Sequence, residues 1–285
     1  TSPSNTFIFI MTSVSEQSAS LYIVATPIGN LQDVSARAIE VLQAVDLIAA
    51  EDTRHSAVLL QHFDIRTPVK PYHDFSNDAQ AEKLLEKVKQ GQSVALISDA
   101  GTPLISDPGY KLVRLARAKG ITVTPIPGAS SVIAAISVAG LASDRFVFEG
   151  FLPAKSAARQ KQLDSLVAET RTLVFFESPH RIVASLQDFL LVFGKDRQIF
   201  IAREMTKKFE TFNLASLEKS VEWVERDTNQ QRGEFVLVLE GADPRNSDVL
   251  IQQRAMEIVS LLQAEMPLKK AVTIAAQISG ARKNA

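Results

Sequence analysis

The first half of the chain alternates between short apolar runs and longer runs whose apolar positions recur at helical spacing, and this alternation limits the fold more than any other feature. Leu21–Ala25, Asp46–Ala50 and Val94–Ser98 read as strands. Behind Asp33 as N-cap, Val34, Ala38, Val41, Leu42 and Val45 share one helical face. Val58, Leu59 and Phe63 mark a second helix, and residues 76–90 a third, with Leu84, Leu85 and Val88 inward and Gly91 as its stop. A short helix follows residue 110, then a strand at Ile121–Pro125, then a small-residue helix ending at Gly140. Strand, helix, strand in succession implies a mostly parallel sheet with helices on both faces, because parallel neighbours need a crossover connection.

A second unit begins near Phe146–Gly150, with "FLPAK" (151–155) as the linker. Thr172–Phe176 reads as a strand. Ser178 is the expected cap of the next helix, with Pro179 in its first turn and Ile182, Leu186, Phe189, Leu190 and Phe193 on one face. Gln198–Ala202, Phe209–Asn213 and Phe235–Leu239 read as strands, the first two able to pair antiparallel, so the second sheet is mixed. The fold class is therefore α/β: two α/β domains, the N-terminal one with a mostly parallel sheet and the C-terminal one with a mixed sheet, plus a small helical C-terminal tail. The expected boundaries are 1–20 as a flexible extension, 21–143 and 144–244 as the two domains, and 245–285 as the tail. Met11 is the expected natural start, and the tail reads as cut short within a helix.

Composition narrows the function. The chain has 285 residues, 46% of them hydrophobic, a net charge of −1 and no cysteine. No apolar run approaches the ~18 residues of a membrane span. Lacking cysteine, the chain has no disulfide, thiolate zinc site or thiol nucleophile, which suits the cytoplasm. His55, His62, His73 and His180 show no ligand spacing, so no metal is expected. No serine stands in a G-x-S-x-G elbow. A near-neutral chain does not advertise nucleic acid globally, so an RNA site must be a local patch.

Four loops follow strand ends: "TPIGN" (26–30), "EDTR" (51–54), "DAGTPLISDPG" (99–109) and "PGASS" (127–131). In an open α/β sheet such loops meet at one crevice, where ligands bind. Their glycines allow close backbone approach, their prolines stiffen them, and Ser130 and Ser131 can donate and accept hydrogen bonds. Glycine and proline also make plain turns. Glu51 and Asp52 also suit the first turn of a helix, where Arg54 pairs with Glu51. In the second unit, "FFESPHR" (175–181) sets Glu177, His180 and Arg181 at a strand-to-helix turn, and "AREMTKKFE" (202–210) sets Lys207 and Lys208 in an expected hairpin. The tail carries Ala271, Ile274, Ala275 and Ile278 on one face and Lys269, Lys270, Arg282 and Lys283 at its ends, like part of a helix-turn-helix unit.

Eight stretches, "LYIVATPIGNLQDVSARA", "AAEDTRHS", "LISDAGTPLISDPGYKLV", "PIPGASSVIAAISVAGL", "FEGFLPAK", "FFESPHRI", "AREMTKKFE" and "GEFVLVLEG", resemble in order and spacing the ribosomal RNA small subunit methyltransferase I family of the tetrapyrrole methylase (class III) superfamily. The resemblance runs from Leu21 to Ala285. It implies an S-adenosylmethionine-dependent homodimer that methylates the ribose 2′-hydroxyl of a cytidine in the decoding centre of 16S rRNA, with the 30S subunit as partner. It also implies a cofactor folded into a cleft between the two domains, touched by Pro27, Asp99, Ala100, Gly101, Asp107, Ser130, Phe176 and Glu177. The first corner, "ATPIGNLQD", departs from the G-x-G-P-G-D of many tetrapyrrole members and leaves the roles of Asn30 and Asp33 open. S-adenosylmethionine carries no phosphate, so a nest of glycine N–H groups is not required. Candidate catalytic groups are Glu177, His180, Glu51 and Lys207, with Glu177 and His180 favoured as general base. Candidate RNA contacts are Arg54, Arg181, Lys208, Lys269, Lys270, Arg282 and Lys283. Two other readings stay open: a tetrapyrrole C-methyltransferase, and a non-catalytic RNA-binding protein on the same fold.

Overall fold

The structure, a computed structural model, describes residues 19–73, 78–263 and 265–281. The chain divides into two compact units, residues 1–131 and 132–285. The first 18 residues, and with them the expected flexible extension up to Ala19, lie outside the described residues, as do Arg282 and Lys283.

In the first unit β1 (Leu21–Val24), α1 (Ala36–Ala44), β2 (Leu47–Ala50), α2 (Thr53–His62), β3 (Val69–Pro71), α3 (Asp78–Lys89), β4 (Val94–Ile97), α4 (Tyr110–Ala118) and β5 (Val123–Ile126) alternate as the periodicity predicts. The five strands are parallel in the order β3-β2-β4-β1-β5. Side chains alternate across a strand. Tyr22, Val24, Ile48, Ala50, Ala95 and Ile97 therefore form one core with Ala38, Val41 and Leu42 of α1 and Leu60 of α2. Leu21, Leu47, Ala49, Val94 and Leu96 form another with Leu84, Leu85 and Val88 of α3 and Leu112 and Ala116 of α4. Strands covered on both faces explain why the apolar runs are unbroken.

The sequence misplaces the first cap. Asp33 lies in a 3-10 turn, Leu31–Asp33, capped by Asn30, and Ser35 caps α1 through a bond from the Ala38 N–H. Strand β3 escaped notice because it is short, at the sheet edge, and ends in proline.

The second unit holds α5 (Ser131–Val138), which begins at the unit boundary, then β6 (Phe146–Phe151), α6 (Ser156–Ser165), β7 (Thr172–Glu177), α7 (Ile182–Phe193), β8 (Gln198–Arg203), β9 (Thr211–Ser216), α8 (Leu217–Arg226), β10 (Phe235–Leu239), α9 (Pro244–Leu262) and α10 (Leu268–Ser279). The sheet order is β6-β7-β10-β8-β9, parallel only at β6–β7, so it is mixed. One face packs Leu173, Phe175, Ile199, Ile201, Leu237 and Leu239 under α6, α7 and α8. The β8–β9 hairpin is antiparallel, but β9 starts two residues later than the expected Phe209, because 204–210 are taken up by the turn. Helix α7 starts at Ile182 rather than at Ser178: residues 178–181 form a turn in which Ser178 Oγ accepts from Arg181 Nε at 3.1 Å.

A buried ion pair joins α6 to α7. Arg159 Nε lies 2.6 Å from Asp188, the two side chains being 2% and 9% exposed. Ser156 and Gln160 donate to the other carboxylate oxygen at 2.9 and 2.7 Å. Burial pushes the Asp188 carboxyl up, but hydrogen bonds from Gln160, Ser156 and Arg159 more than offset it and hold the group below the ordinary carboxylate value. Asp188→Ala leaves a buried guanidinium unpaired and is expected to cost about 3–5 kcal/mol in urea unfolding. Because the folded carboxyl titrates lower than the unfolded one, the stabilisation it gives is complete above the unfolded value, near pH 4. It is lost as pH falls toward the folded value. An acid titration of stability should therefore show a steeper decline in wild type than in Asp188→Asn.

Candidate functional site

The strand order places a topological switch between β1 and β4, which are neighbours. The chain leaves β1 toward α1 on one face and leaves β4 toward α4 on the other. The carboxyl ends at such a point splay apart and leave a crevice.

The four loops meet there, tied by hydrogen bonds. Thr26 and Gly101 exchange both backbone bonds, at 2.9 and 3.0 Å, in an isolated antiparallel bridge. Thr26 Oγ1 donates to Ser98 O at 3.2 Å. The Asp52 N–H donates to Asp99 Oδ1 at 3.1 Å, joining the β2 loop to the β4 loop. Thr102 Oγ1 donates to Ala129 O at 3.0 Å, joining the β4 loop to the β5 loop. The long loop is thus the hub. It contains two non-glycine residues in the left-handed region, Leu104 (φ 74°) and Ser106 (φ 64°), a strain that recurs at ligand sites. Gly128 passes so close to Ala25 that a Cβ there would sit 2.9 Å from the Ala25 Cβ.

The charge of the crevice selects its ligand. The four loops carry Glu51, Asp52, Asp99 and Asp107 against a single basic residue, Arg54. Arg54 is not set against Glu51 as the helical spacing implies. Asp52 is the N-cap of α2, and its carboxylate takes both the Arg54 N–H and its guanidinium, at 2.8 Å each. Those two hydrogen bonds lower the Asp52 pKa to about 2. Strand-end loops that carry four carboxylates and no lysine suit a cationic, polar ligand and not a phosphate.

Among the expected cofactor contacts, Pro27, Asp99, Asp107 and Ser130 are half-buried, Ala100 is exposed and Gly101 is buried, all within these loops. Phe176 and Glu177 belong to the second unit. Glu177 is fully committed: its side chain is 0% exposed, and its carboxylate takes the Ser178 N–H, the Ser185 hydroxyl and the Arg181 guanidinium. His180, three residues on, is exposed. Lys207 bridges Glu204 and Glu234, each at 2.9 Å. Burial favours its neutral form, but those two carboxylates more than offset it and raise its pKa, so it is held as a cation and is no proton acceptor. Lys208 is exposed over the Phe209 ring at 5.5 Å. Lys269 and Lys270 are exposed on the first turn of α10, whose Ala271 and Ala275 are buried while Ile278 is 64% exposed. Sequence reasoning missed the hydroxyls of Thr26, Ser98 and Thr102; serine and threonine at successive strand ends were the available signal.

Comparison with known proteins agrees with this geometry. Residues 20–220 match the family described as Tetrapyrrole (Corrin/Porphyrin) Methylases. Among solved structures, diphthine synthase superposes with a TM-score of 0.60 at 17% identity, over 78% of this chain and 90% of that one. A uroporphyrin-III C-methyltransferase from Thermus thermophilus, complexed with S-adenosyl homocysteine, superposes with a TM-score of 0.55 at 19% identity, over 78% and 97%. The fold is that of the tetrapyrrole methylases. More narrowly, a protein of Escherichia coli O157:H7 named ribosomal RNA small subunit methyltransferase I is 53% identical over 93% of this chain and 92% of its own length. Its namesake in Haemophilus influenzae is 52% identical over 93% and 94%. Residues 250–285 match the domain described as RsmI C-terminal HTH domain. The chain belongs to the ribosomal RNA small subunit methyltransferase I family.

Gly128→Val should force β1 and the β5 loop apart, since the added Cβ meets another Cβ at 2.9 Å with backbone behind it. Thermal unfolding is expected to show a loss of about 1–3 kcal/mol, the usual effect of overpacking.

Proposed function

We infer that this protein transfers a methyl group from S-adenosylmethionine to 16S ribosomal RNA of the small subunit, at the ribose 2′-hydroxyl of a cytidine in the decoding centre. The observation that carries the reading is the acidic, lysine-free crevice at the β1/β4 switch, in a chain whose relatives bear the rRNA methyltransferase name over 93% of its length. The donor set fits the cofactor. Asp99 and Asp107 supply acceptors for an ammonium and ribose hydroxyls, Ser130 a hydroxyl, and Pro27, Ala100 and Gly101 close backbone without a phosphate nest. When bound, the cofactor supplies an electrophilic methyl on a sulfonium sulfur.

The residues do the rest. The crevice fixes the line of displacement, and positioning of this kind contributes several kcal/mol to the barrier reduction, out of about 7–11 available. With the cofactor held by the crevice loops, the ribose hydroxyl would lose its proton to a base supplied by this chain. His180 takes that role, with Glu51 the second candidate. Glu177 acts through Arg181, holding the turn that carries His180. Arg54, Arg181, Lys208, Lys269 and Lys270 are the proposed contacts to RNA phosphate. The active form is a cytoplasmic homodimer. Its support is an exposed apolar surface: Phe212 and Leu214 of β9 are 43% and 47% exposed, beside Gly140 at the end of α5.

Purified 30S subunits lacking the modification, incubated with labelled S-adenosylmethionine, should gain one methyl group on one cytidine ribose, located by mass spectrometry of the digested RNA. Label on a base or on protein would overturn the reading, as would no heat of S-adenosylmethionine binding in calorimetry. His180→Ala should lower the single-turnover rate by about 10²–10⁴-fold with cofactor affinity unchanged. An unaltered rate transfers the role to Glu51, where Glu51→Gln is the matching test.

A further inference from the structure

Strand β6 does not alternate to its end. Phe146, Val147 and Phe148 lie opposite Thr172, Leu173 and Val174 of β7, whereas Gly150 and Phe151 lie opposite Phe175 and Phe176, so the register slips at Glu149. Phe148 and Phe151 are three apart and in a regular strand would point to opposite faces. The extra residue returns Phe151 to the Phe176 face, the re-aiming that a β-bulge performs. Three rings then share one face. Phe148 and Phe176 meet edge to face with centroids 4.9 Å apart, and Phe151 and Phe176 at 5.4 Å. Phe176 is half-buried and Phe151 is 54% exposed.

The corner is held rigidly. Leu152 O accepts from Arg181 at 3.1 Å, and Pro153 O and Ala154 O accept from Arg159 at 3.2 and 3.3 Å. Each arginine is itself held by a buried carboxylate, Glu177 for Arg181 and Asp188 for Arg159. Two ion pairs thus clamp the segment after an exposed aromatic ring, and the next residue, Lys155, is exposed. A presented ring with an exposed lysine four residues along the same clamped segment matches single-stranded RNA, whose unstacked bases lie on aromatic faces while basic groups take the phosphates.

The geometry points to Phe151, backed by Phe148 and Phe176, as the stacking platform for an unpaired base of the RNA substrate, with Lys155 as its phosphate contact. This rests on the RNA-methylating function proposed above. A base could also come from the cofactor's adenosine. The RNA is the better match because it brings a phosphate for the lysine that follows the ring in the chain, and S-adenosylmethionine has none.

Methylation of 30S subunits by wild type, Phe151→Ala, Phe151→Tyr and Lys155→Ala is the test, alongside S-adenosylmethionine calorimetry and sedimentation of each variant. Phe151→Ala should raise KM for the subunit by about five- to a hundredfold, and Phe151→Tyr should restore it. Lys155→Ala should raise KM and flatten its salt dependence. Cofactor affinity and mass should not move. An unchanged KM in Phe151→Ala overturns the platform. So does weakened cofactor binding, which would assign the ring to adenosine, or a loss of mass, which would assign it to a subunit contact. If wild type itself transfers no methyl group, the proposed function fails separately. The platform is then judged by a fluorescent single-stranded oligoribonucleotide, and equal affinity for wild type and Phe151→Ala overturns it.

Discussion

The reciprocal backbone bond between Thr26 and Gly101 is what the crevice depends on. It joins the two loops that the topology sends to opposite faces of the sheet, so a gap that would otherwise open between them acquires a fixed floor. Everything else hangs from the longer of those loops. Asp99 reaches sideways to the β2 loop and Thr102 to the β5 loop, each by one hydrogen bond. Such bonds add little to global stability, about 1 kcal/mol each, but they decide where the backbone atoms of four separate loops stand. Preorganisation of that kind lowers the cost of ordering a ligand.

The two units use charge differently. In the first, the four strand-end loops carry four carboxylates and one basic residue, Arg54, so acidic groups outnumber basic ones there. In the second, carboxylates are matched: the buried Glu177 with Arg181 and Asp188 with Arg159, and the more exposed Glu204 and Glu234 with Lys207. There they act as braces for turns. This difference separates residues that were grouped together on chemical type alone.

Much of this was legible in the sequence, for identifiable reasons. Strands β1, β2 and β4 announced themselves because doubly covered strands are continuously apolar, and the crevice loops because they carry glycines, Gly128 where the chain passes close to Ala25 and Gly101 where φ is +80°. What failed to show was whatever depends on a distant partner. Helix α6 has a weak apolar pattern because its buried residues are Leu163 and Arg159, and the acid that makes Arg159 tolerable lies 29 residues away. The hydrogen bonds that tie Glu177 to Ser185 and Lys207 to Glu234, 8 and 27 residues on, are likewise invisible in the motifs that hold them. The bulge at Glu149 leaves no mark in a pattern read one strand at a time.

The order of the first sheet also bears on how the chain is made. Strand β4 lies between β1 and β2, so those two never pair with each other. As the polypeptide leaves the ribosome, β1 and β2 emerge as greasy segments with open edges, and their shared neighbour follows only around residue 94. Until then β2 has only β3 to pair with and β1 has neither of its neighbours, so the nascent half-domain exposes the kind of strand edge that invites sticking to other chains. The two halves of that sheet are joined only when one four-residue segment slots into the middle.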